Sequence, residues 1–183
     1  TLRSRGLGDV YKRQHPDVRP IFTLVDPELT LELPPQLTAW TGVDAMVHSI
    51  EGYCVPGFNP LCDGAALESL NLISKSLVLA VEEPSNLLAR GGMIIGSYLG
   101  GISFLKGLGN VHSISHMVGA EYNTHHGLTN AIVLPPVLNF NLPGMDEKVK
   151  RMSEASDILL TFSSIPGKLK FRTGGKTIAL VKP

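Results

Sequence analysis

Asp44 and His48 stand four residues apart, and His112 and His116 have the same spacing. On a helix, each pair would share one face, one turn apart. His125 and His126 follow shortly after the second pair. One carboxylate with several neutral imidazoles is the donor set that a borderline divalent ion such as Zn²⁺ or Fe²⁺ takes. Each feature alone has a plainer reading. A helical Asp-x3-His pair is most often a surface polar pair, and a His on a semi-apolar helix is most often a satisfied core residue. His125-His126 could cap a helix start. Clustering favours the metal, because five of the six histidines join Asp44 in two short glycine-flanked segments. Spacing alone does not say which of them are ligands.

Other chemistries fit less well. HSISH carries no Glu after its first His, so it is not the HExxH of a zinc protease. A metal hydrolase needs a general base beside the ion. No Glu adjoins a motif His, and Glu121 is the acidic residue expected nearest the cluster. Gly107-Leu108-Gly109 follows an expected helix rather than a strand, so it is no dinucleotide fingerprint. There is no Walker A sequence and no Gly-x-Ser-x-Gly elbow. Cys54 and Cys62 lack CxxC spacing and read as buried, inert thiols. Two cysteines are too few for a disulfide scaffold, which points to a reduced, cytoplasmic protein.

The elements that must position these residues are mostly helical. The chain has 183 residues and 43% hydrophobic content, enough for one packed domain or one domain plus a piece of another. Residues 18–25 are apolar and β-branched and predict one strand, ending at Asp26-Pro27. After a connector, helical periodicity predicts helices over 36–53, 63–81, 86–105, 110–120 and 127–138. Pro34-Pro35 sets the start of the first, and Pro135-Pro136 is expected to end the last. The third has a small apolar face (Gly91, Gly92, Ile95, Gly96, Gly100, Ile102) suited to close helix packing. A polar amphipathic stretch predicts a further helix over 146–160. The apolar runs are short, so no membrane span or membrane partner is expected.

The formal charge of zero hides an uneven distribution. Residues 21–145 hold Lys75, Arg90 and Lys106 against ten carboxylates, a net of −7. A globally basic nucleic-acid binder is excluded there, and a cation site becomes plausible. The basic excess sits at the ends. Ser4 to Gln14 back-translates to an adapter used in transposon-based sequencing libraries, so residues 1–14 are set aside from fold reasoning. Residues 146–183 read as a shortened or rearranged tail, with a solvated end as the expectation for its charge run.

Two long motifs then carry a resemblance. DPEL at residues 26–29, LPPQLTAWTGVDAMVHSIEGY, NPLCDGAALESL and KGLGNVHSISHMVGAEYNTHHGLTNAIVLP stand in order between residues 20 and 141. They closely resemble the iron-containing (group III) alcohol dehydrogenases. The resemblance implies a two-domain, dehydroquinate synthase-like fold, in which residues 15–33 are a remnant of an α/β nucleotide-binding domain and residues 34–145 form the helical metal-binding domain. It implies Asp44, His48, His112 and His126 as metal ligands, with Fe²⁺ native and Zn²⁺ a common substitute. It places His116 beside the nicotinamide of NAD or NADP as a proton-relay or orienting residue, and Leu29 near the cofactor. It implies hydride transfer between that cofactor and a small alcohol or aldehyde on the metal, and a homo-oligomer for the full-length protein. Related polyol dehydrogenases and dehydroquinate synthase-like enzymes share the architecture, but THHG with KGLG favours the alcohol dehydrogenases. Because the glycine-rich phosphate-binding turn has no counterpart here, this chain is expected to be an inactive fragment. A non-catalytic metal-binding helical fragment is the alternative reading.

Overall fold

The computed structural model describes residues 21–141 and 143–156, and the backbone of 170–173 and 176–179. Six helices and a hairpin follow one another: α1 (Pro35–Cys54), α2 (Pro60–Glu82), α3 (Leu87–Ser103), α4 (Asn110–Tyr122), α5 (His126–Asn141), α6 (Asp146–Ser156), β1 (Lys170–Thr173) and β2 (Lys176–Ala179). Short 3-10 turns occupy Pro27–Thr30 and Phe104–Lys106. The chain is mainly α, as expected. Residues 1–14 and most of the tail beyond Ser156 lie outside the described residues.

The sequence sets the helix starts by local chemistry. Pro34 and Pro35 open α1, where the missing N–H costs nothing. The Asn59 side chain accepts from Cys62 N at 3.2 Å to cap α2, and Asn86 accepts from Ala89 N at 3.0 Å to cap α3. Asn123 closes α4 in the left-handed conformation at φ 52°, which Asn tolerates better than most side chains. The core lies along α1. Val43, Met46, Val47 and Ile50 pack with Ala66, Leu70, Ile73 and Leu77 of α2 on one side. On the other they meet Leu134 and Leu138 of α5.

α3 lies on α2 more closely than ordinary side chains allow. A Cβ on Gly92 would meet Ser76 Oγ, and one on Gly96 would lie 2.6 Å from Ile73 Cγ1. The expected small face therefore exists but is narrower than predicted. Gly91 faces open space, and Ile95 is exposed. Both α2 and the segment Leu87–Lys106 are long and apolar enough to cross a membrane by length and composition, which the short apolar runs did not lead us to expect. Here they are neighbours in the helical stack. Arg90 of α3 is buried, and it donates to Thr38 Oγ1 at 2.8 Å, Pro84 O at 3.0 Å and Leu33 O at 3.4 Å. That side chain pins the connector before α1 onto α3.

Three expectations need correction. Ile21–Val25, the described part of the predicted strand, is unpaired, and Ile21, Phe22 and Leu24 are exposed. A strand needs a partner to satisfy its backbone, and none lies beside it among the described residues. Pro135 and Pro136 do not end α5, which continues to Asn141. An interior proline costs about 3 kcal/mol. Burying Ala131, Leu134, Pro135, Val137 and Leu138 against α1 outweighs it, at about 1.5–3 kcal/mol for each large apolar side chain. The hairpin was not anticipated either. Lys170 pairs antiparallel with Ala179 and Thr173 with Lys176. Gly174-Gly175 between two short runs was the available signal.

Candidate metal centre

α1 carries Asp44 and His48 on one face, as their spacing predicts, and α4 brings His112 to them. One ligand atom from each of these three residues lies within 4.8 Å of the other two. His112 Nε2 is 3.6 Å from Asp44 Oδ1. His126, at the first turn of α5, places Nε2 3.4 Å from the same oxygen. The imidazoles crowd one another, with ring centroids 4.4 Å apart for His48 and His112 and 5.3 Å apart for His112 and His126.

α5 approaches α1 at Gly127, where a Cβ would come within 2.7 Å of the Trp40 carbonyl carbon and 3.4 Å of Asp44 Cβ. Only a residue without a side chain fits between His126 and the turn of α1 that carries Trp40 and Asp44. His125 packs against Trp40, with ring centroids 4.7 Å apart and the planes tilted by 42°. Its Nδ1 accepts from Leu128 N at 3.5 Å, so it caps the start of α5. His116 is exposed on α4, its ring 4.8 Å from that of His126 and 6.2 Å from that of His112. Leu29 stands apart from this cluster, 83% exposed in the first 3-10 turn.

Two residues that the motifs did not single out complete the network. Glu51 is buried. Its Oε1 accepts from Val111 N at 2.7 Å, while Oε2 pairs with His112 Nδ1 at 2.7 Å and accepts from His112 N at 3.3 Å. Asn130 is fully buried, and its Nδ2 donates to Asp44 Oδ1 at 2.5 Å. The same nitrogen lies 3.1 Å from His126 Nε2 and 3.3 Å from His112 Nε2. Both had a helical signal. Glu51 is seven residues after Asp44 and three after His48, and Asn130 is four after His126. The acidic residue beside the cluster is therefore Glu51 rather than Glu121, which is exposed near the end of α4. Both Glu51 oxygens are engaged, so it does not supply the free base a hydrolase would need. Of the two thiols expected to be buried, Cys62 is buried and Cys54 is half-buried, with burial pushing the Cys54 thiol up to about 11.

Electrostatics follow from this crowding. Burial opposes ionisation of Asp44, but the His112 hydrogen bond and the neighbouring imidazoles hold its carboxyl below the ordinary value. Burial likewise opposes Glu51, and the His112 ring with two backbone N–H groups outweighs it. Burial pushes His48 down to about 4, with Asp44 offsetting only part of it. Burial also lowers His126. For His112 burial is overcome by Asp44 and Glu51, which lift it to about 9. Two carboxylates against one favoured imidazolium leave a pocket ready for a divalent cation.

Residues 38–168 match the family model described as Fe-containing alcohol dehydrogenase family, C-terminal. The chain belongs to the iron-containing alcohol dehydrogenase family. The matched span holds all six residues of the cluster, from Asp44 to Asn130. Among curated relatives, the NAD-dependent methanol dehydrogenase of Bacillus methanolicus is 39% identical over 138 residues, covering 75% of this chain and 36% of its own length. The 1,3-propanediol dehydrogenase of Citrobacter freundii is 40% identical, covering 74% and 35%. A crystal structure of 1,3-propanediol oxidoreductase superposes with a TM-score of 0.71 at 39% identity, over 76% of this chain and 37% of that one. The chain thus spans about a third of the length of the relatives it matches, and the likeness confirms the helical fold.

Proposed function

We propose that this chain is the metal-holding helical part of a metal-dependent, NAD(P)-linked alcohol dehydrogenase acting on small alcohols and aldehydes. The observation that carries the reading is the convergence of Asp44, His48 and His112 within 4.8 Å, with His126 at 3.4 Å from Asp44. A tetrahedral site with bonds near 2.0–2.2 Å has ligand-to-ligand edges of about 3.3–3.6 Å. The Asp44–His112 and Asp44–His126 separations, 3.6 and 3.4 Å, fall at that spacing. The donor set therefore fits Fe²⁺ or Zn²⁺, held by Asp44, His48, His112 and His126. When bound, such an ion supplies Lewis acidity toward an alcohol or carbonyl oxygen.

The chain's own residues do the rest. Asn130 steadies the Asp44 carboxylate by its Nδ2 hydrogen bond. His116, exposed beside His126, is placed to exchange a ring-nitrogen proton with solvent at the rim. Trp40 and His125 wall one side by their ring contact. The described residues offer no glycine-rich turn between a strand and a helix, so they do not fit a dinucleotide pyrophosphate. NAD(P) use is proposed for the whole protein carrying this chain, on the printed name of the methanol dehydrogenase relative.

Metal titration tests the reading. The chain should take up one equivalent of Zn²⁺ or Fe²⁺. His126→Ala should lose it, and His116→Ala should keep it. Uptake unchanged in His126→Ala would remove that residue from the ligand set. In the whole protein, NAD⁺- or NADP⁺-coupled oxidation of short alcohols should vanish with the metal, and activity that survives complete metal removal refutes the reaction class.

A further inference from the structure

The role of Glu51 rests on the ligand reading above. α4 begins at Asn110 with no side-chain cap of its own. Its first amides are instead met by a carboxylate from another helix, with Glu51 Oε1 2.7 Å from Val111 N and Oε2 3.3 Å from His112 N. Backbone N–H groups can only donate, so both Glu51 oxygens act as acceptors. The third contact, 2.7 Å from Oε2 to His112 Nδ1, is then donated by the ring. A neutral ring that donates from Nδ1 presents its Nε2 lone pair, which faces Asp44. Gly109 makes the approach possible, since a Cβ there would lie 2.7 Å from Glu51 Oε1.

We propose that Glu51 is a positioning residue of the metal centre: one buried carboxylate caps α4 and fixes the His112 tautomer that offers Nε2 to the ion. Glu51 shares α1 with Asp44 and His48. It therefore sets the fourth-helix ligand against the first-helix ligands through a single side chain. Carboxylates that accept from the far nitrogen of a ligating His typically contribute 10–100-fold in metal affinity.

Glu51→Gln is the near-isosteric test. Its amide can accept on one side only. If the amide oxygen stays on Val111 N, its NH2 meets His112 Nδ1 and favours the Nε2–H tautomer, which opposes metal binding. If the amide turns, NH2 meets the Val111 N–H and the helix cap is lost. The probe is Zn²⁺, titrated into the full 183-residue chain against a chromophoric chelator, with the His112 ring followed by long-range ¹H–¹⁵N correlation. The expected result is a 10–100-fold weaker Zn²⁺ Kd, together with loss of the Nδ1–H signature in the first case or of Val111 amide protection in the second. Gly109→Ala keeps the carboxylate but displaces it, and should weaken Zn²⁺ in the same direction even if Glu51→Gln does not fold. Wild-type Kd in whichever variants fold overturns the proposal, as does a Glu51→Gln chain that keeps both the Nδ1–H tautomer and the protection of the Val111 amide. If the wild-type chain takes up no Zn²⁺, the ligand reading fails instead, and the tautomer comparison in the metal-free chain, made at a pH where the His112 ring is neutral, still decides the role of Glu51.

Discussion

Replacing Gly127 with alanine tests whether the close approach of α5 to α1 is what assembles the centre. A Cβ on Gly127 would meet the Trp40 carbonyl carbon at 2.7 Å and its oxygen closer still. The obstacle is helix backbone, which cannot rotate away as a side chain tip can. Ordinary contact begins near 3.4 Å, so α5 must back off by roughly 1 Å along that line. His126 is the adjoining residue and would move with it. Metal–ligand distances tolerate only about 0.2 Å, so a shift several times larger takes His126 out of the set. Overpacking of this kind costs about 1–3 kcal/mol, whereas Gly→Ala inside a helix otherwise gains about 0.5–1 kcal/mol.

Gly91 and Gly101 supply the control, because a Cβ at either meets nothing within 4 Å. Gly91→Ala and Gly101→Ala should therefore raise the urea midpoint or leave it unchanged, with full Zn²⁺ uptake. Gly127→Ala should lower the midpoint and lose most of its Zn²⁺ affinity. The two readouts separate a packing defect from a site defect. If Gly127→Ala matches the Gly91→Ala midpoint and binds Zn²⁺ like wild type, the helix approach does not set the ligand geometry.

Three further outcomes follow from the same network. Asp44 and Glu51 lift His112 from 6.5 to about 9 in the metal-free chain, so the folded state holds that proton more tightly than the unfolded one. This stabilisation is complete below about pH 6.5 and disappears as the pH rises through about 9. The urea midpoint of the metal-free chain should fall across that window, and a profile that rises there contradicts the sign. Because Zn²⁺ must displace the same proton, its apparent affinity should climb about tenfold per pH unit toward pH 9, measured by chelator competition; pH-independent binding rules the displacement out. Hydrogen exchange should show Zn²⁺ protecting the amides of α4 far more than those of α2, and uniform protection would mean that the ion does not tie α4 down.

The proposed ligands were more legible in the sequence than the residues packed around them. Asp44 and His48 were legible because a helix turns a four-residue spacing into a shared face. α1, α2 and α3 were legible because apolar periodicity, prolines and Asn caps agree. Glu51 was missed for a physical reason: its helical spacing places it beside Asp44 and His48 but does not reveal its partners Val111 and His112, 60 and 61 residues away. Asn130 has the same character, its Asp44 contact spanning 86 residues. Pro135-Pro136 misled because local propensity predicts a break where tertiary burial outweighs it. The described part of the apolar run, residues 21–25, misled in the opposite direction, since β-branching favours a strand only where another strand can pair with it.

α4 shows how much of the centre depends on those long-range contacts. It buries only Val111, His112 and Ser115, too little apolar surface to dock a helix of 13 residues unaided. Its packing neighbour is α5. Its ties to α1 run through Glu51 and the histidine cluster. The groups that organise the ligands are thus also the groups that attach the helix. Adding the ion and ordering α4 are then coupled in free energy, and whatever weakens one weakens the other. A loosely docked ligand helix also explains why the cap comes from α1 rather than from α4 itself. A cap within α4 would stabilise the helix wherever it lay, whereas Glu51 rewards its first turn only when His112 already faces Asp44.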